Sequence, residues 1–491
     1  MAKNICIFSD GTGQMGGKRP DQRLSNVYKM YRAMRPGPDS PINPKDQVAF
    51  YDAGLGTDEI RSLVGRFKPI LSAAVGTGLD HNMIDCYEKI IAHYEPGDRV
   101  LLFGFSRGAY TVRALANVMN LCGIPTLMPD GTPIPRHGSG LRKIATDAVK
   151  YVYSHGAGKP RGKVPYFRNR ETLGRRFRKK YFSSPLKGKD VQGNVQPTFI
   201  GVFDTVASLR TAVVRSIVWG ITLAVAATFA LALIKGLAFW ILVPLGLILA
   251  TLLFQLGTLF LENLKYFSDD PDRKLRLRRP GDWRQIWKTG HFASWNKMNY
   301  DRWLDQDVGH ARHAMAIDED RVDFPRVGWA TKKAAIETAK RRPKWLKQVW
   351  FAGCHSDIGG SYPEAESRLS DIALDWMVEE LRDCVPTIQI NENMLHRSPD
   401  PLGLQHREDA MMRIGRFAIP WKKGIREVGA DFELHPSVTE RLKAVAVPQH
   451  DKVKPYRPEQ LKERRDLQRF YGTDATASYT IQGSRNQSEP S

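Results

Sequence analysis

A single serine lies between two glycines in the stretch GFSRG, at residues 104–108. Apolar residues precede this stretch, and a run typical of a helix, AYTVRALANVM, follows it. In a nucleophile elbow, glycines two positions before and after a serine allow a strand to turn sharply into a helix, so that the hydroxyl stands clear of the sheet. Gly104, Ser106 and Gly108 fit that pattern, and Ser106 is therefore the predicted nucleophile.

A serine hydroxyl is a poor nucleophile until a base takes its proton, and the base needs an acid to orient it. When such a serine occupies a strand-to-helix elbow, the acid and the histidine follow it in that order along the chain. Asp204, in GVFDTVAS, ends one predicted strand, and His355, in WFAGCHSDIGG, ends a later one. We therefore predict Asp204 as the acid and His355 as the base.

Other residues compete for both roles. His310, His313 and His435 are alternative bases among the twelve histidines. His355 is preferred because it alone lies at the end of a predicted strand and is followed by a glycine turn. Asp357, two residues further on, could orient the imidazole in place of the predicted acid, or it could cap the turn that follows.

An acyl-transfer site also needs N–H donors for the oxyanion that forms in the reaction. The helix that begins after Ser106 points its N-terminal N–H groups at the serine, so the Arg107 amide is one candidate. The stretch SDGTG follows the first predicted strand and offers the Gly11 or the Thr12 amide as the second. Asp10 is expected to fix this loop by accepting backbone N–H bonds.

The motifs of common metal sites do not accompany these residues. Neither HExxH nor the EF-hand spacing is present, so we expect no metal and no cofactor. The five cysteines are an odd number without a CxxC pair, which favours neither a disulfide framework nor a zinc ribbon.

Short β-rich runs and longer helical patterns alternate along the chain. The runs NICIFSD, QVAFYDAG, DRVLLFGFS, TFIGVFDTV and KQVWFAGCHSD each end in a polar or glycine-rich turn. This alternation predicts an α/β fold, with a mostly parallel sheet and helices on both faces. Because the carboxyl ends of parallel strands meet at one edge, Asp10, Ser106, Asp204 and His355 should lie together there.

Positive charge is concentrated in two segments of a chain whose net charge is +21. Residues 159–189 contain twelve Lys or Arg and a single acid, Glu171, and a second basic run, RKLRLRRP, begins at Arg273. Nucleic acid and anionic lipid headgroups attract such segments by the same Coulomb interaction, so charge alone does not choose between these two partners.

A long apolar segment, residues 216–261, favours lipid. Nineteen uncharged residues precede Lys235 and 26 follow it. As helices these runs would span about 28 and 39 Å, against a hydrocarbon core of about 30 Å. Basic residues flank both outer ends, which predicts a membrane hairpin with Lys235 at its far tip and a kink at Pro244. Buried helices of a soluble domain are the alternative.

These features divide the chain into seven predicted segments. They are a core part with the elbow (1–122), a basic insertion or cap (123–196), a core strand with the acid (197–210), the transmembrane hairpin (211–265), a basic linker with a cap-like segment (266–345), a core part with the histidine (346–456) and a flexible tail (457–491). No cleaved signal peptide is predicted, because the apolar run in MAKNICIFSDGTG is short.

Five motifs, in the same order along the chain, resemble those of a known family. FSDGTGQ, GFSRGAYTVRALA, GVFDTVAS, ARHAMAIDEDRVDF and VWFAGCHSDIGGSYPE resemble the motifs of the α/β-hydrolase family that contains the first class of type VI secretion lipase effectors and many uncharacterised bacterial and fungal relatives. The resemblance covers roughly residues 1–385, apart from the basic segment and the hairpin. It implies an α/β-hydrolase fold, Ser106, Asp204 and His355 as the triad, and hydrolysis of phospholipid acyl esters.

The sequence thus predicts a membrane-associated serine esterase, with a phospholipase of the A type as the favoured activity. The expected partners are a phospholipid bilayer and its anionic headgroups, and nucleic acid is not expected. The resemblance adds delivery to a target cell, with a secretion-system component or an immunity protein as further partners. A non-enzymatic module that perturbs membranes or acts as a scaffold, and a membrane-anchored hydrolase of a soluble ester, are the alternatives.

Overall fold

The structure is a computed structural model that describes most of the 491 residues. Thr12, one of the predicted oxyanion donors, lies outside the described residues. The described residues are 2–11, 13–14, 16–17, 23–54, 77–159, 163–186, 190–206, 211–271, 273, 275–294, 303–322, 324–329, 342, 344–408, 410–414, 417–429, 432–471 and 479–480.

A central sheet organises the molecule. The described strands are β1 (Asn4–Ser9), β2 (Gln47–Asp52), β3 (Arg99–Phe105), β4 (Phe199–Phe203), β5 (Leu264–Lys265), β6 (His291–Phe292), β7 (His310–Ala316), β8 (Leu346–Phe351), β9 (Ala410–Ile414), β10 (Phe417–Pro420), β11 (Glu433–Leu434), β12 (Val447–Gln449), β13 (Lys452–Lys454) and β14 (Tyr479–Thr480). Seven of them form one sheet in the order β11-β8-β7-β4-β3-β1-β2, and every neighbouring pair in it is parallel.

Helices cover both faces of this sheet. The described α-helices are α1 (Asn26–Met34), α2 (Thr77–His93), α3 (Ser106–Cys122), α4 (Gly138–Thr146), α5 (Tyr166–Tyr181), α6 (Thr211–Ile234), α7 (Phe239–Asn263), α8 (Trp283–Thr289), α9 (His355–Gly359), α10 (Arg368–Cys384) and α11 (Pro436–Lys443). A parallel sheet that is covered on both sides needs strands that are apolar on both faces, and all residues of β1 and β4 are buried. The predicted α/β fold with a parallel sheet is confirmed.

Alternate strand residues supply two separate cores, as the two-residue period of a strand requires. Ile5 and Leu102 belong to the core that includes α2 and α3. Phe8 and Phe103 belong to the core that includes α1 and α10, and their rings stack at a centroid distance of 4.8 Å.

The predicted basic insertion is part of the first core. Leu141, Ile144 and Phe177 pack in the same apolar cluster as α3, so α4 and α5 are attached to the sheet by buried side chains. The start of the predicted flexible tail is also packed: Leu461 and Leu467 are buried in a third apolar cluster. Apolar burial of these two leucines holds residues 457–471 against the domain.

Two long apolar helices, α6 and α7, form a helical hairpin in the segment predicted to cross the membrane. The turn between them contains Lys235, which is exposed, and a Cβ placed on Gly246 would lie 3.2 Å from the Phe229 ring, so the two helices are in contact. Their described side chains are largely exposed, for example Trp240 at 74% and Phe254 at 72%. Helix α7 is long and apolar enough to cross a membrane, whereas the described apolar part of α6 is the shorter stretch Trp219–Ile234.

Candidate active site

The predicted site residues follow the carboxyl ends of neighbouring parallel strands. Asp10 follows β1, Ser106 follows β3 and Asp204 follows β4. His355 begins α9, shortly after the end of β8. The sheet therefore brings all four to the same edge, although up to 345 residues separate them along the chain.

Ser106 occupies a strand-to-helix turn with no intervening residue. Strand β3 ends at Phe105 and α3 begins at Ser106, whose φ is +57°. A Cβ on Gly104 would lie 2.6 Å from the backbone of Ala109, and one on Gly108 would lie 2.0 Å from the carbonyl oxygen of Ser9. Larger side chains do not fit at either glycine, so this sharp turn depends on both of them.

The backbone of the predicted acid is also unusual. Asp204 has a φ of +33°, and it is one of six described non-glycine residues with positive φ, a group that also includes Ser106. Such conformations are sparsely populated and persist where the surrounding structure holds them. Here the Asp204 N–H donates to the Ala314 carbonyl of β7 at 2.7 Å, which holds the turn against the neighbouring strand.

Asp204 and His355 are in direct contact. His355 Nδ1 lies 2.6 Å from Asp204 Oδ2, and both residues are buried. The other carboxylate oxygen, Oδ1, accepts from the Arg426 guanidinium at 2.7 Å and from the Ala316 N–H at 3.1 Å. The carboxylate is therefore fixed in position from three directions.

The charge state of Asp204 follows from these contacts. Burial alone raises the pKa of a carboxyl group, but the Arg426 guanidinium and the hydrogen bond from His355 outweigh it. Together they hold the pKa of Asp204 well below its usual range. Asp204 is thus an anion at neutral pH and can stabilise a positively charged imidazole.

The imidazole of His355 lies beside the elbow. Its ring stacks on Phe105, the residue before Ser106, at a centroid distance of 4.7 Å, and Phe324 meets it edge-on at 5.4 Å. Gly359 leaves room for Phe105, because a Cβ there would lie 1.9 Å from the Phe105 ring. Ser106 and His355, both described, do not share a hydrogen bond in this structure; such bonds often shorten only when substrate binds.

The loop after β1 lies against the serine. A Cβ on Gly11 would approach Ser106 Cβ to 3.3 Å, but the Gly11 N–H donates to Asp10 Oδ1 at 2.7 Å. Asp10 thus accepts a backbone N–H, as predicted, and it also binds the hydroxyls of Ser25 and Tyr51. Burial raises the pKa of Asp10 to about 6. The Gly11 amide predicted as an oxyanion donor is therefore engaged by its own neighbour.

The competing histidines have other partners. His310 opens β7, at the opposite edge of the sheet, and its Nδ1 donates to the Lys344 carbonyl at 3.0 Å. His313 Nε2 accepts the Thr205 N–H at 3.1 Å, and burial holds the pKa of His313 well below its usual value. His435 caps α11 by accepting from the Ser437 N–H.

Asp357 is used elsewhere. Its Oδ2 accepts the Cys354 N–H at 3.0 Å, which caps α9, and its Oδ1 lies 2.7 Å from His406 Nδ1. The Asp357 carboxylate thus caps the N-terminus of α9, the helix that begins at His355. In the described part of the chain, no three His, Cys, Asp or Glu residues are grouped so that they could hold a metal.

The model of the T6SS phospholipase effector Tle1-like catalytic domain matches residues 3–229 and 271–380. The chain belongs to this family. The match covers more than half of the chain and contains Ser106, Asp204 and His355, whereas residues 230–270, which include α7, are outside it.

The individual relatives align with this chain only in part. An uncharacterized protein of Saccharomyces cerevisiae, YEL023C, is 30% identical over 130 residues, which are 25% of this chain and 18% of that protein. A crystal structure of an uncharacterized Pseudomonas aeruginosa protein is 15% identical, with a TM-score of 0.33, over 81% of this chain and 48% of that one. A structure of the Tle1 effector bound to the VgrG spike is 16% identical, with a TM-score of 0.27, over 75% and 53%. The chain thus spans about half the length of these two solved proteins.

Sequence reasoning missed Arg426 and the pair that supports His355. Glu319 Oε2 accepts the His355 N–H at 3.1 Å and is itself paired with Arg321. Arg321 lies over the Phe324 ring, which in turn contacts the imidazole. A buried carboxylate such as Asp204 is usually paired with a cation. The sequence contains 73 Lys and Arg residues, and nothing in it distinguishes Arg426 as the partner. Arg426 also lies beyond the residues that the family model matches.

Proposed function

We propose that this protein is a serine esterase of the phospholipase A type, which cleaves acyl esters of phospholipids. One observation carries the proposal: His355 Nδ1 lies 2.6 Å from the Asp204 carboxylate, at the sheet edge where Ser106 occupies a strand-to-helix elbow. Membership of a phospholipase effector family supports the same reaction class.

In the proposed reaction, Ser106 Oγ attacks the ester carbonyl carbon, and the carbonyl π electrons move onto oxygen while His355 Nε2 takes the hydroxyl proton. The tetrahedral intermediate collapses, the acyl C–O bond breaks, and His355 returns the proton to the leaving lysophospholipid. Water then attacks the acyl-serine with His355 again as base, which releases a fatty acid and restores the hydroxyl. Asp204 keeps the Nδ1 proton of His355 in place throughout.

The oxyanion would be bound by backbone N–H groups. Arg107 is the second residue of α3, and the N–H groups in the first turn of a helix point beyond its N-terminus, towards the position of the reacting carbonyl. The loop after β1 supplies the second donor. Because the Gly11 N–H donates to Asp10, the Thr12 amide is the favoured candidate of the two predicted ones.

We assign Arg426 as a positioning residue for Asp204. Its guanidinium donates to Asp204 Oδ1 and to the carbonyl oxygens of Ala316 and Phe324, at 2.7, 3.0 and 3.0 Å. The guanidinium thereby leaves Asp204 Oδ2 to face His355 and keeps the carboxylate ionised. Arg426 acts on the reaction through Asp204 and need not touch the substrate.

Replacing Arg426 by methionine is expected to shift the acid limb of the kcat/KM profile to higher pH. Asp204 would remain buried but would lose its cation, so its pKa would rise and protonation would remove the carboxylate at a higher pH. The measurement is the pH dependence of kcat/KM on a soluble short-chain ester. The acid limb of the charge-conserving Arg426→Lys variant should lie between those of the wild type and Arg426→Met.

Arg441 offers a matched control for this experiment. It is also buried, and its guanidinium binds the carbonyl oxygens of Pro401, Gly403 and Pro448, with no contact to Asp204. Arg441→Met should lower stability without moving the acid limb. If the acid limb of the kcat/KM profile shifts equally in the Arg426 and Arg441 variants, Arg426 has only a structural role.

The proposal places the domain at a membrane through the α6–α7 hairpin. Helix α6 begins shortly after Asp204, so the hairpin leaves the sheet from the edge that carries the site. Strand β4, before the hairpin, pairs directly with β7, after it, through Phe203 and Ala314. The chain must therefore return to the side from which it left, and an even number of crossings satisfies this requirement. Exposed apolar side chains on both helices support a lipid environment.

Deleting residues 216–261 and joining the ends by a short linker is expected to give a protein that no longer sediments with membranes. It should still cleave a short-chain ester, because the sheet and the site lie outside the deletion, but it should cleave bilayer phospholipid poorly. The intact chain should stay with the membrane after carbonate or high-salt washing, which releases proteins held by charge alone. Release of the intact chain by salt would contradict the two-crossing arrangement.

The family also suggests how the protein reaches its substrate. We propose that the chain acts as a delivered effector in a target cell, carried by a component of a type VI secretion system and neutralised in the producing cell by an immunity protein. The family match supports this proposal.

Mass spectrometry of lipids from mixed phospholipid vesicles tests the proposed activity. Incubation with the intact chain should produce free fatty acids and matching lysophospholipids, and Ser106→Ala should produce neither. Cleavage of a short-chain ester without any change in the vesicle lipids would favour a hydrolase of a soluble ester, and vesicle leakage without cleavage would favour a non-enzymatic membrane module.

A further inference from the structure

The segment after the hairpin folds back onto the hairpin's end. Strand β5, directly after α7, pairs with β6 in an antiparallel ladder, and the Ala293 N–H donates to the Asn263 carbonyl at 2.9 Å. The rings of Phe260 and Phe292 also meet, at a centroid distance of 5.8 Å. The segment between Lys265 and His291 therefore begins and ends at the end of the hairpin that lies away from Lys235.

Helix α8 in this loop exposes two tryptophans on one side. Trp287 is 91% exposed and Trp283 is 57% exposed, and their spacing of four residues places them on the same helix face. Ile286 turns to the buried side. The Trp283 indole N–H donates to the Leu277 carbonyl at 2.7 Å, which leaves the apolar part of that ring outward.

Exposed cations surround the two tryptophans. They come from the turn before α8 and from the helix itself, and no ion pair joins them to any acid in the described residues: Arg276, Arg278, Arg279, Arg284 and Lys288. Asp282, which lies in this stretch, is buried; its carboxylate accepts from the Arg276 N–H at 2.8 Å and is paired with the Arg273 guanidinium at 2.7 Å. The local surface therefore combines exposed indole rings with an excess of positive charge.

The loop is also fastened to the catalytic domain. The Arg176 guanidinium of α5 donates to the carbonyl oxygens of Ser268, at 2.8 Å, and Asp269, and lies over the Phe267 ring. Phe177, next to Arg176, is buried in the core that includes α3. The start of this loop is thus held by α5, whose Phe177 packs in the same apolar cluster as α3.

We propose that residues 276–288 form an interfacial collar, which binds the surface of an anionic phospholipid bilayer where the hairpin enters it. Indole rings favour the boundary between headgroups and acyl chains, and arginine and lysine favour phosphate-rich anionic surfaces. The position of the loop at the hairpin's end selects a membrane over other polyanions. The inference rests on the proposed membrane crossing and adds a second contact, which holds the catalytic domain at a defined distance from the lipid.

An environment-sensitive dye tests this contact without using enzyme activity. The dye NBD is attached to a cysteine at Trp287→Cys and, as a control, at Val445→Cys in the full chain. Val445 is also 91% exposed, but it lies after α11, in a different part of the chain. Both variants are reconstituted in vesicles of phosphatidylcholine with or without phosphatidylglycerol. Four of the five native cysteines are buried, which limits background labelling.

At position 287 the dye emission is expected to shift to the blue in vesicles and to be quenched by nitroxide lipids, more strongly with phosphatidylglycerol. At position 445 the emission should match that of dye in water. Water-like emission at both positions, or equal shifts at both, would overturn the collar. Carbonate extraction of the same samples tests the hairpin separately: release of the chain would overturn the crossing itself, whereas retention with water-like emission at position 287 would overturn the collar alone.

A functional variant gives the second readout. Trp283→Ala combined with Trp287→Ala should lower the cleavage of bilayer phospholipid several-fold and leave the cleavage of a soluble ester unchanged. Unchanged cleavage of both substrates would contradict the collar, while absence of ester cleavage by the wild type would contradict the proposed function instead.

Discussion

Replacement of Ser106 by alanine is expected to lower the hydrolysis of a soluble short-chain ester by about 10⁶-fold, the scale seen when a triad serine is removed. The alanine has no nucleophilic oxygen, so the acyl-enzyme cannot form, and only binding and oxyanion contacts remain. Initial rates over a wide range of enzyme concentration measure the effect. The substrate should be soluble, so that membrane contact does not influence the rate.

Ser154 is the matched control for this variant. It is also a buried serine, at 2% exposed, but its hydroxyl donates to Asp80 Oδ1 at 3.0 Å, away from the elbow. Ser154→Ala should keep most of the wild-type rate. A Ser106→Ala variant that hydrolyses the ester as well as Ser154→Ala does would exclude Ser106 as the nucleophile.

Replacement of Asp204 by asparagine is expected to lower kcat by about 10⁴-fold, because the amide favours the wrong tautomer of the histidine and cannot balance an imidazolium charge. Two contacts fail in this variant. The 2.6 Å contact with His355 Nδ1 loses its anion, and Arg426 becomes a buried cation without its carboxylate. Circular dichroism and the kinetic assay together separate the loss of rate from a loss of fold.

Asp357→Asn is the comparison that separates the two acids. Asp357 binds the Cys354 N–H and His406, so its replacement should weaken the cap of α9 and cost far less in kcat. If Asp357→Asn were the more damaging change, the acid role would move to Asp357. An active His355→Ala variant would redirect the search for the base to His310, His313 or His435.

The sheet edge could be predicted from the sequence because strands of a parallel sheet repeat one simple pattern. Each apolar run ends in a polar turn, and the rule that carboxyl ends share an edge places Asp10, Ser106, Asp204 and His355 together. The elbow was equally readable, since Gly104 and Gly108 are needed where a Cβ would meet backbone atoms. The roles of the triad residues remain predictions until activity is measured.

The contacts that hold the acid could not be predicted in the same way. Arg426 approaches Asp204 from a segment more than 200 residues later, and neither its type nor its spacing marks it among the many arginines. The Gly11 amide illustrates another limit. Sequence pattern places the loop beside Ser106, but it does not show that the Asp10 side chain already accepts that N–H.

The two long apolar helices could be predicted from the length of the apolar runs. The exposure of their side chains could not be predicted in this way, and only the structure gives it. Long apolar helices can also be buried in the core of a soluble protein, and the sequence left both arrangements open. In this structure the described side chains of α6 and α7 are mostly exposed. That a lipid bilayer surrounds these helices is part of the proposed function.

Labelling of the intact protein with a fluorophosphonate tests the central proposal most directly, because this reagent reacts with activated serines. Peptide mass spectrometry should locate the label on Ser106 in the wild type, find no label in Ser106→Ala, and find much slower labelling in His355→Ala. Labelling of another residue, or equal labelling of the wild type and Ser106→Ala, would contradict the assignment of Ser106 as the activated nucleophile.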